Sequence, residues 1–377
     1  MDEAAAKIYV NLLKKAYSVK SGEKVFAITD TSCYSVTEEM QWLANNMPES
    51  GGRSEYFRSL SGLGLNEPEK IFNKLMAIGA FQEKPARSWK TVFRSVLSPK
   101  VRLLPAQWQE RVLGFAGVET GGLGRMLSFF FWPALLGAIL GLWLFAGGGD
   151  RMLPDAAFGK VNGLAVIVLV VISSLVHEVG HSFAAAASGI GLRPIGFSVY
   201  LIYPAFYTNV SGIDKLDLKK KILIDCGGFI LQLVYILGLL LFASAAGSAT
   251  AAEAVRWIMA MVLFNLNPFL RTDGYWLYKD TYSDLKHNRW MRAGHYLYLL
   301  AFMAFSVYFL RFIFIRIGSI WSELNILAHS PSYFFSGGYK VIIGAYFVFV
   351  GFSGGLRRFK EGRQEWLELI GVSAAKA

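Results

Sequence analysis

Past residue 125 the chain becomes a succession of long apolar runs, and nothing else in it limits the fold as strongly. In hydrocarbon every backbone N–H and C=O must find its partner inside the protein, so spanning segments are helices or closed barrels. A spanning helix takes about 20 mostly apolar residues. Six stretches approach that requirement: 126–147, 162–187, 222–246, 252–270, 295–317 and 337–353. The expected fold is mainly α, a polytopic membrane helix bundle of about six spans. Arg311 and Arg316 lie toward one end of the fifth stretch, where long stems let the charges reach an interface. A further apolar piece, Ile195 to Val210, is interrupted by Gly196, Pro204 and Asn209 and is rich in aromatic and β-branched residues. It reads as a strand or a re-entrant β-type segment.

Composition agrees with a membrane setting. Hydrophobic residues make up 54% of the 377 and charged residues only 17%, against about a quarter charged in ordinary soluble domains. Neither a purely cytosolic globular enzyme nor a disordered or fibrous chain is expected on these grounds. Cys33 and Cys226 are too far apart and too few for a disulfide framework or a cysteine-based zinc site. The net charge of +11 reads as membrane-flanking Lys and Arg, not as a nucleic-acid surface. Basic clusters occur at Arg94–Arg125, Lys215–Lys221, Arg271–Arg289 and Arg357–Arg363. With six spans all four fall on one side, which the positive-inside rule makes the cytoplasm. The expectation is a multi-pass protein of the cell membrane, a bacterial inner or plasma membrane, with both termini cytoplasmic. The opening MDEAAAKIYV has no basic stretch followed by an apolar one, so no cleavable signal peptide is expected.

Residues 1–90 read as a small α/β domain, followed by a basic connector at 91–125. Ala4–Tyr17 has an amphipathic helical pattern, and Lys24–Thr29 a strand pattern. Ser35–Asn46 opens with a Ser-x-x-Glu capping signal, Ser35 to Glu38. Glu67–Ile78 is helical, with Pro68 early and Gly79 after it, and Ala80–Lys84 follows as a strand. Three helices and a strand in that order resemble a winged helix. With the spacing in IFNKLMAIGAF, the segment is similar to the small winged-helix peptide-recognition domains of ribosomal-peptide modification pathways. No basic recognition helix is present, so nucleic acid is not an expected partner.

The residues that carry chemistry are His177-Glu178-Val179-Gly180-His181, inside the second apolar stretch. Histidines four apart stand one above the other on a helix face. Two imidazoles so placed can bind one zinc ion, while the intervening Glu reaches a water on the metal. The chain has five histidines in all, and ionisable residues inside a span point to function by default. A polar cluster lining a bundle, or a proton path in a transporter, is the alternative.

A catalytic zinc takes three protein ligands. His287, His295 and His329 are candidates for the third by chemistry. Asp273 is the stronger one. It follows the fourth stretch in Asn265-Leu-Asn-Pro268-Phe-Leu-Arg-Thr-Asp273-Gly274. Pro268 breaks the helical ladder and Gly274 permits a tight bend. Counting spans puts Asp273 at the same membrane depth as the histidine pair.

These two motifs resemble the site-2 protease family of intramembrane zinc metalloproteases over residues 126–290. HEVGHSFAAAASG is similar to the family's first motif, and Asn265, Pro268, Asp273 and Gly274 match its second. The resemblance implies zinc bound by His177, His181 and Asp273, with Glu178 as general base. It implies substrate-backbone binding by Asn265, whose other reading is a helix-end hydrogen bond, and a membrane-associated or small peptide substrate. The chain looks most like the branch linked to processing or export of small peptides. It departs from the pattern at Gly227-Gly228, where Gly-Pro is common, and at Arg271, where an apolar residue or Pro is common. The membrane domain is expected over 126–353 and a cytoplasmic tail over 354–377. A non-proteolytic membrane binding or transport partner with a protease-like fold is the alternative, against which the complete ligand and base set argues. Asp225 and Asn209 read as helix-start and turn residues.

Overall fold

The computed structural model describes residues 7–369 apart from 15, 22–23, 29–32, 84–99, 149–160, 201–202, 331 and 337. Two compact units emerge, Met1–Gly124 with Ser182–Leu216, and Arg125–His181 with Asp217–Ala377.

In the first unit the strands β1 (Ile8–Asn11), β2 (Tyr17–Ser21), β3 (Lys24–Ile28) and β4 (Cys33–Val36) precede the helix α1 (Glu38–Asn46). Strand β5 (Ser50–Gly52), helices α2 (Arg53–Gly62) and α3 (Pro68–Ala77), and strand β6 (Phe81–Glu83) follow. Strands β5, β1 and β6 form one antiparallel sheet and β2, β3 and β4 another. The helix expected over Ala4–Tyr17 is instead β1, a turn and the start of β2, with Ala4–Ala6 and Lys15 outside the described residues. Asn11 explains the difference. Its side-chain oxygen accepts from the backbone N–H of Leu13 (3.2 Å) and Lys14 (3.3 Å), and its amide donates to the Ala44 carbonyl (2.8 Å). A side chain that hydrogen-bonds its own following backbone replaces the helical ladder with a turn. The first helix begins at Glu38 and not Ser35, because Ser35 pairs with Phe26 in the sheet. Thr37 caps the helix instead, accepting from Met40 N at 3.2 Å. Leu13, Tyr56, Leu60, Phe72 and Phe81 are fully or almost fully buried in this part of the unit. The Phe72 ring meets Tyr9 edge-on at 5.1 Å and Phe81 at 5.6 Å.

Strand β7 (Lys100–Leu104) and helix α4 (Ala106–Phe115) belong to the same unit, as do β8 (Ile195–Tyr200) and β9 (Tyr203–Thr208). These three strands form an antiparallel sheet in the order β7, β8, β9. The broken apolar piece is therefore a hairpin. Asn209 follows it as a turn residue, its side-chain oxygen accepting from Ser211 N at 3.0 Å.

The remaining helices are α5 (Leu123–Trp143), α6 (Gly163–Ala187), α7 (Leu218–Ala246), α8 (Ala249–Asn265), α9 (Asp273–Leu285), α10 (Arg289–His329), α11 (Tyr333–Ser336) and α12 (Gly338–Leu369). Among the described residues four helices are long and apolar enough to cross a membrane: α5 with its continuation to Gly147, α6, α7 and α10. The fourth expected span, 252–270, is the 17-residue α8. It stops at Asn265 because the next turn is rebuilt around Pro268: Asn267 Oδ1 accepts from Phe269 N (2.9 Å), and Thr272 Oγ1 donates to the Asn267 carbonyl (2.9 Å). The sixth expected span is the start of α12, whose apolar part is Gly338–Phe349. Between α7 and α8 the chain reverses at Gly247, in the left-handed region at φ 59°, and Ser248 caps α8 by accepting from Ala251 N. Ile236, Ala243, Ala254, Val255 and Ile258 pack without exposure in the core of this unit. Small residues there let helices approach closely, which drives packing where lipid removes the hydrophobic contrast.

Candidate metal centre

Helix α6 carries His177 and His181 on one face, both buried at 4% and 7% exposure. It does so against α7 at a point of close backbone approach. A Cβ on Gly180 would meet the Gly227 carbonyl oxygen and lie 2.8 Å from Gly228 Cα. A Cβ on Gly228 would sit 2.7 Å from Nε2 of His177 and 2.7 Å from Nε2 of His181. Glycine at 228 thus leaves the space that both imidazoles occupy. The Gly227-Gly228 pair thus has a structural reason at this crossing.

Each imidazole is oriented from behind. His181 Nδ1 lies 2.7 Å from the Ile224 carbonyl, which can only accept. Its proton is therefore on Nδ1, and Nε2 presents a lone pair. His177 Nδ1 lies 3.0 Å from Gln232 Oε1, and Gln232 Nε2 donates to Ser173 Oγ at 3.0 Å. With the Gln232 amide in this orientation its oxygen accepts, and the His177 proton sits on Nδ1 as well. Partners of this kind set tautomer and ring direction in histidine metal sites.

Asp273 opens α9. A Cβ on Gly274 would run into the Leu266 carbonyl, so the bend beside the carboxylate requires glycine. Asp273 Oδ2 reaches 2.8 Å from His177 Nε2 and 3.7 Å from His181 Nε2, and the two Nε2 atoms are 3.1 Å apart. Three electron-pair donors thus converge with no proton left to share among them in the tautomers just assigned. Such a group is stable around a cation. Ligand atoms on tetrahedral zinc at 2.0–2.1 Å stand about 3.3 Å apart, and the nitrogen–oxygen donor set is one zinc takes. The three distances bracket that spacing, so the residues present fit a zinc ion. Among the described residues these three side chains form the group arranged to hold a metal.

The structure therefore brings together three of the residues singled out from sequence. Glu178, the neighbour of His177 on α6, is half-buried and within electrostatic reach of His181 and of Tyr346 on α12. Asn265 is the last residue of α8 and half-buried, and among the described residues its side-chain amide takes no hydrogen bond. The other histidines do not join the group. His295 pairs with the Tyr278 hydroxyl at 2.6 Å and stacks on Tyr282, and His329 Nδ1 bonds the Asn325 carbonyl. Gln232, Ser173 and the Ile224 carbonyl escaped the sequence reading, which marked Gly227-Gly228 without giving it a role. Gln232 is nonetheless a polar residue in an apolar run, two turns from Asp225 on the same helix face.

No family model matches the chain, and no solved structure matches it. Among curated proteins it is 26% identical over 146 residues to a protein of Bacillus subtilis (strain 168) provisionally named as the peptide zinc metalloprotease protein YydH. The match covers 37% of this chain and 58% of that relative, so the chain spans a little over half of the relative's length. At that identity and coverage the similarity supports a metalloprotease relationship.

Proposed function

We propose that the protein is an intramembrane zinc endopeptidase of the site-2 protease type that cleaves a small peptide or a transmembrane substrate. The convergence of His177 Nε2, His181 Nε2 and Asp273 Oδ2, with both Nδ1 protons directed away, carries this reading. Zinc, when bound by these residues, supplies Lewis acidity that acidifies water and polarises a carbonyl oxygen. Glu178 is the base: its carboxylate takes the proton of the attacking water and delivers it to the nitrogen of the leaving amine. Gln232 and the Ile224 carbonyl hold the imidazoles in one tautomer throughout, which keeps the protons on Nδ1 and the ligand nitrogens free to bind metal. A peptide bond inside a helix is shielded by its own hydrogen bonds, so the substrate is cut in extended form. Asn265 is a candidate to hold substrate backbone.

The test is metal content measured beside cleavage in detergent-purified protein. The wild-type chain is expected to carry about one zinc, and Asp273→Ala to lose both metal and activity. Full occupancy in Asp273→Ala would remove this carboxylate from the ligand set. In the cell we place residues 1–90 and the tail 354–377 on the cytoplasmic side of a multi-pass membrane protein. A reporter fused after Lys360 should then read as cytoplasmic, and a periplasmic or extracellular signal there would reverse the orientation.

A further inference from the structure

We infer that Glu361, on the distant helix α12, is a positioning residue for Asp273. The inference rests on the metal-site reading above. The two oxygens of Glu361 are used separately. Oε1 pairs with Arg271 Nη1 at 3.2 Å, and Oε2 accepts from the Tyr275 hydroxyl at 3.0 Å. Arg271 and Tyr275 stand two residues before and two residues after Asp273. One carboxylate thus bridges the turn at whose centre the third ligand sits.

The bridge is itself held in place. Arg358, one turn earlier on α12 and 1% exposed, approaches Glu361 Oε2 at 4.0 Å. Its guanidinium lies 5.0 Å from the Tyr275 ring and 4.9 Å from Phe302 on α10. From α10, Tyr298 donates to the Pro268 carbonyl at 2.7 Å, and its ring stacks on Phe269 at 5.3 Å. The loop 266–272 is therefore fastened at Pro268, Phe269 and Arg271 before it reaches the ligand. Arg271 is the charged residue in the loop 266–272, and Glu361 is the partner that accommodates it. An isolated pair one-third exposed adds little to folding stability. What the bridge does fix is the direction in which the Asp273 carboxylate points, and metal sites are sensitive to displacements of that size.

Full-length protein in detergent tests this with two readouts other than turnover: zinc affinity by chelator competition, and the visible spectrum of the cobalt-loaded protein. Glu361→Ala should weaken zinc binding about tenfold or more and shift the cobalt bands, and should also lower the melting temperature of the metal-free protein, because it leaves the buried Arg358 guanidinium without its carboxylate. Glu361→Gln, which keeps an acceptor for Tyr275 but loses the charge facing Arg271, should fall between. Arg271→Glu, which sets two carboxylates against each other, should likewise weaken zinc binding and shift the cobalt bands. Wild-type zinc affinity and cobalt bands in both Glu361 variants would overturn the inference while leaving the metal centre standing. A wild-type chain that binds no zinc would overturn the metal centre itself.

Discussion

Glu178→Gln should lose peptide cleavage by on the order of a hundredfold or more while keeping a full complement of zinc. Glutamine matches glutamate in shape and polarity but has no basic oxygen near neutral pH. The three side chains that converge on the metal position do not include residue 178. The substitution therefore separates moving a proton from holding a metal. Metal analysis and a cleavage assay on the same preparation decide it. Near-normal cleavage by Glu178→Gln would sink the metalloprotease proposal, whatever the zinc content.

The second large effect is expected from a residue with no side chain. Gly228→Ala places a methyl group 2.7 Å from the Nε2 atoms of both histidines. Neither ring can swing away freely, because Gln232 and the Ile224 carbonyl hold their far sides. We expect zinc affinity to fall about 10–100-fold and cleavage to fall about a hundredfold, since misplacement by an ångström costs about that much. Gly180→Ala provides the contrast. There the new methyl meets the Gly227 carbonyl, which is backbone and cannot rotate aside. Helices α6 and α7 must separate, so melting temperature should drop together with metal binding. A Gly228→Ala protein with unaltered zinc affinity would show that the rings have room the structure does not give them.

The histidine pair and Asp273 were legible in sequence because their signals are local. Four-residue spacing places two rings on one face, and Pro268 with Gly274 marks a bend beside the carboxylate. Gly228 and Gln232 were not, because their meaning depends on which face of α7 meets α6, and periodicity in a run apolar all round does not encode that. The first helix failed for a comparable reason. The apolar positions of Ile8, Tyr9, Leu12, Leu13 and Ala16 suit an amphipathic helix, but Asn11 bonds Leu13 N, Lys14 N and the Ala44 carbonyl instead. The last of these contacts is 33 residues away and invisible to a local pattern. Span length was over-read at the fourth stretch. Apolar composition continues through Leu266, Phe269 and Leu270, whereas the helix ends at Asn265, where side chains of Asn267 and Thr272 take over the backbone.

His177 and Asp273 are 96 residues apart in the chain. At about 5–20 residues per second of synthesis, about 5–20 s separate the appearance of the two on the ribosome. During that interval α6 has been made with its pair of imidazoles, while the carboxylate that completes the group does not yet exist. Helices α7 and α8 lie between them in order of synthesis, and α7 supplies the Gln232 and Ile224 contacts that fix the imidazole tautomers. Any metal that the three residues hold together would accordingly be acquired late, after α6, α7 and α8 have all been synthesised. A metal ion captured earlier would be held by two nitrogens alone, on rings still free to turn.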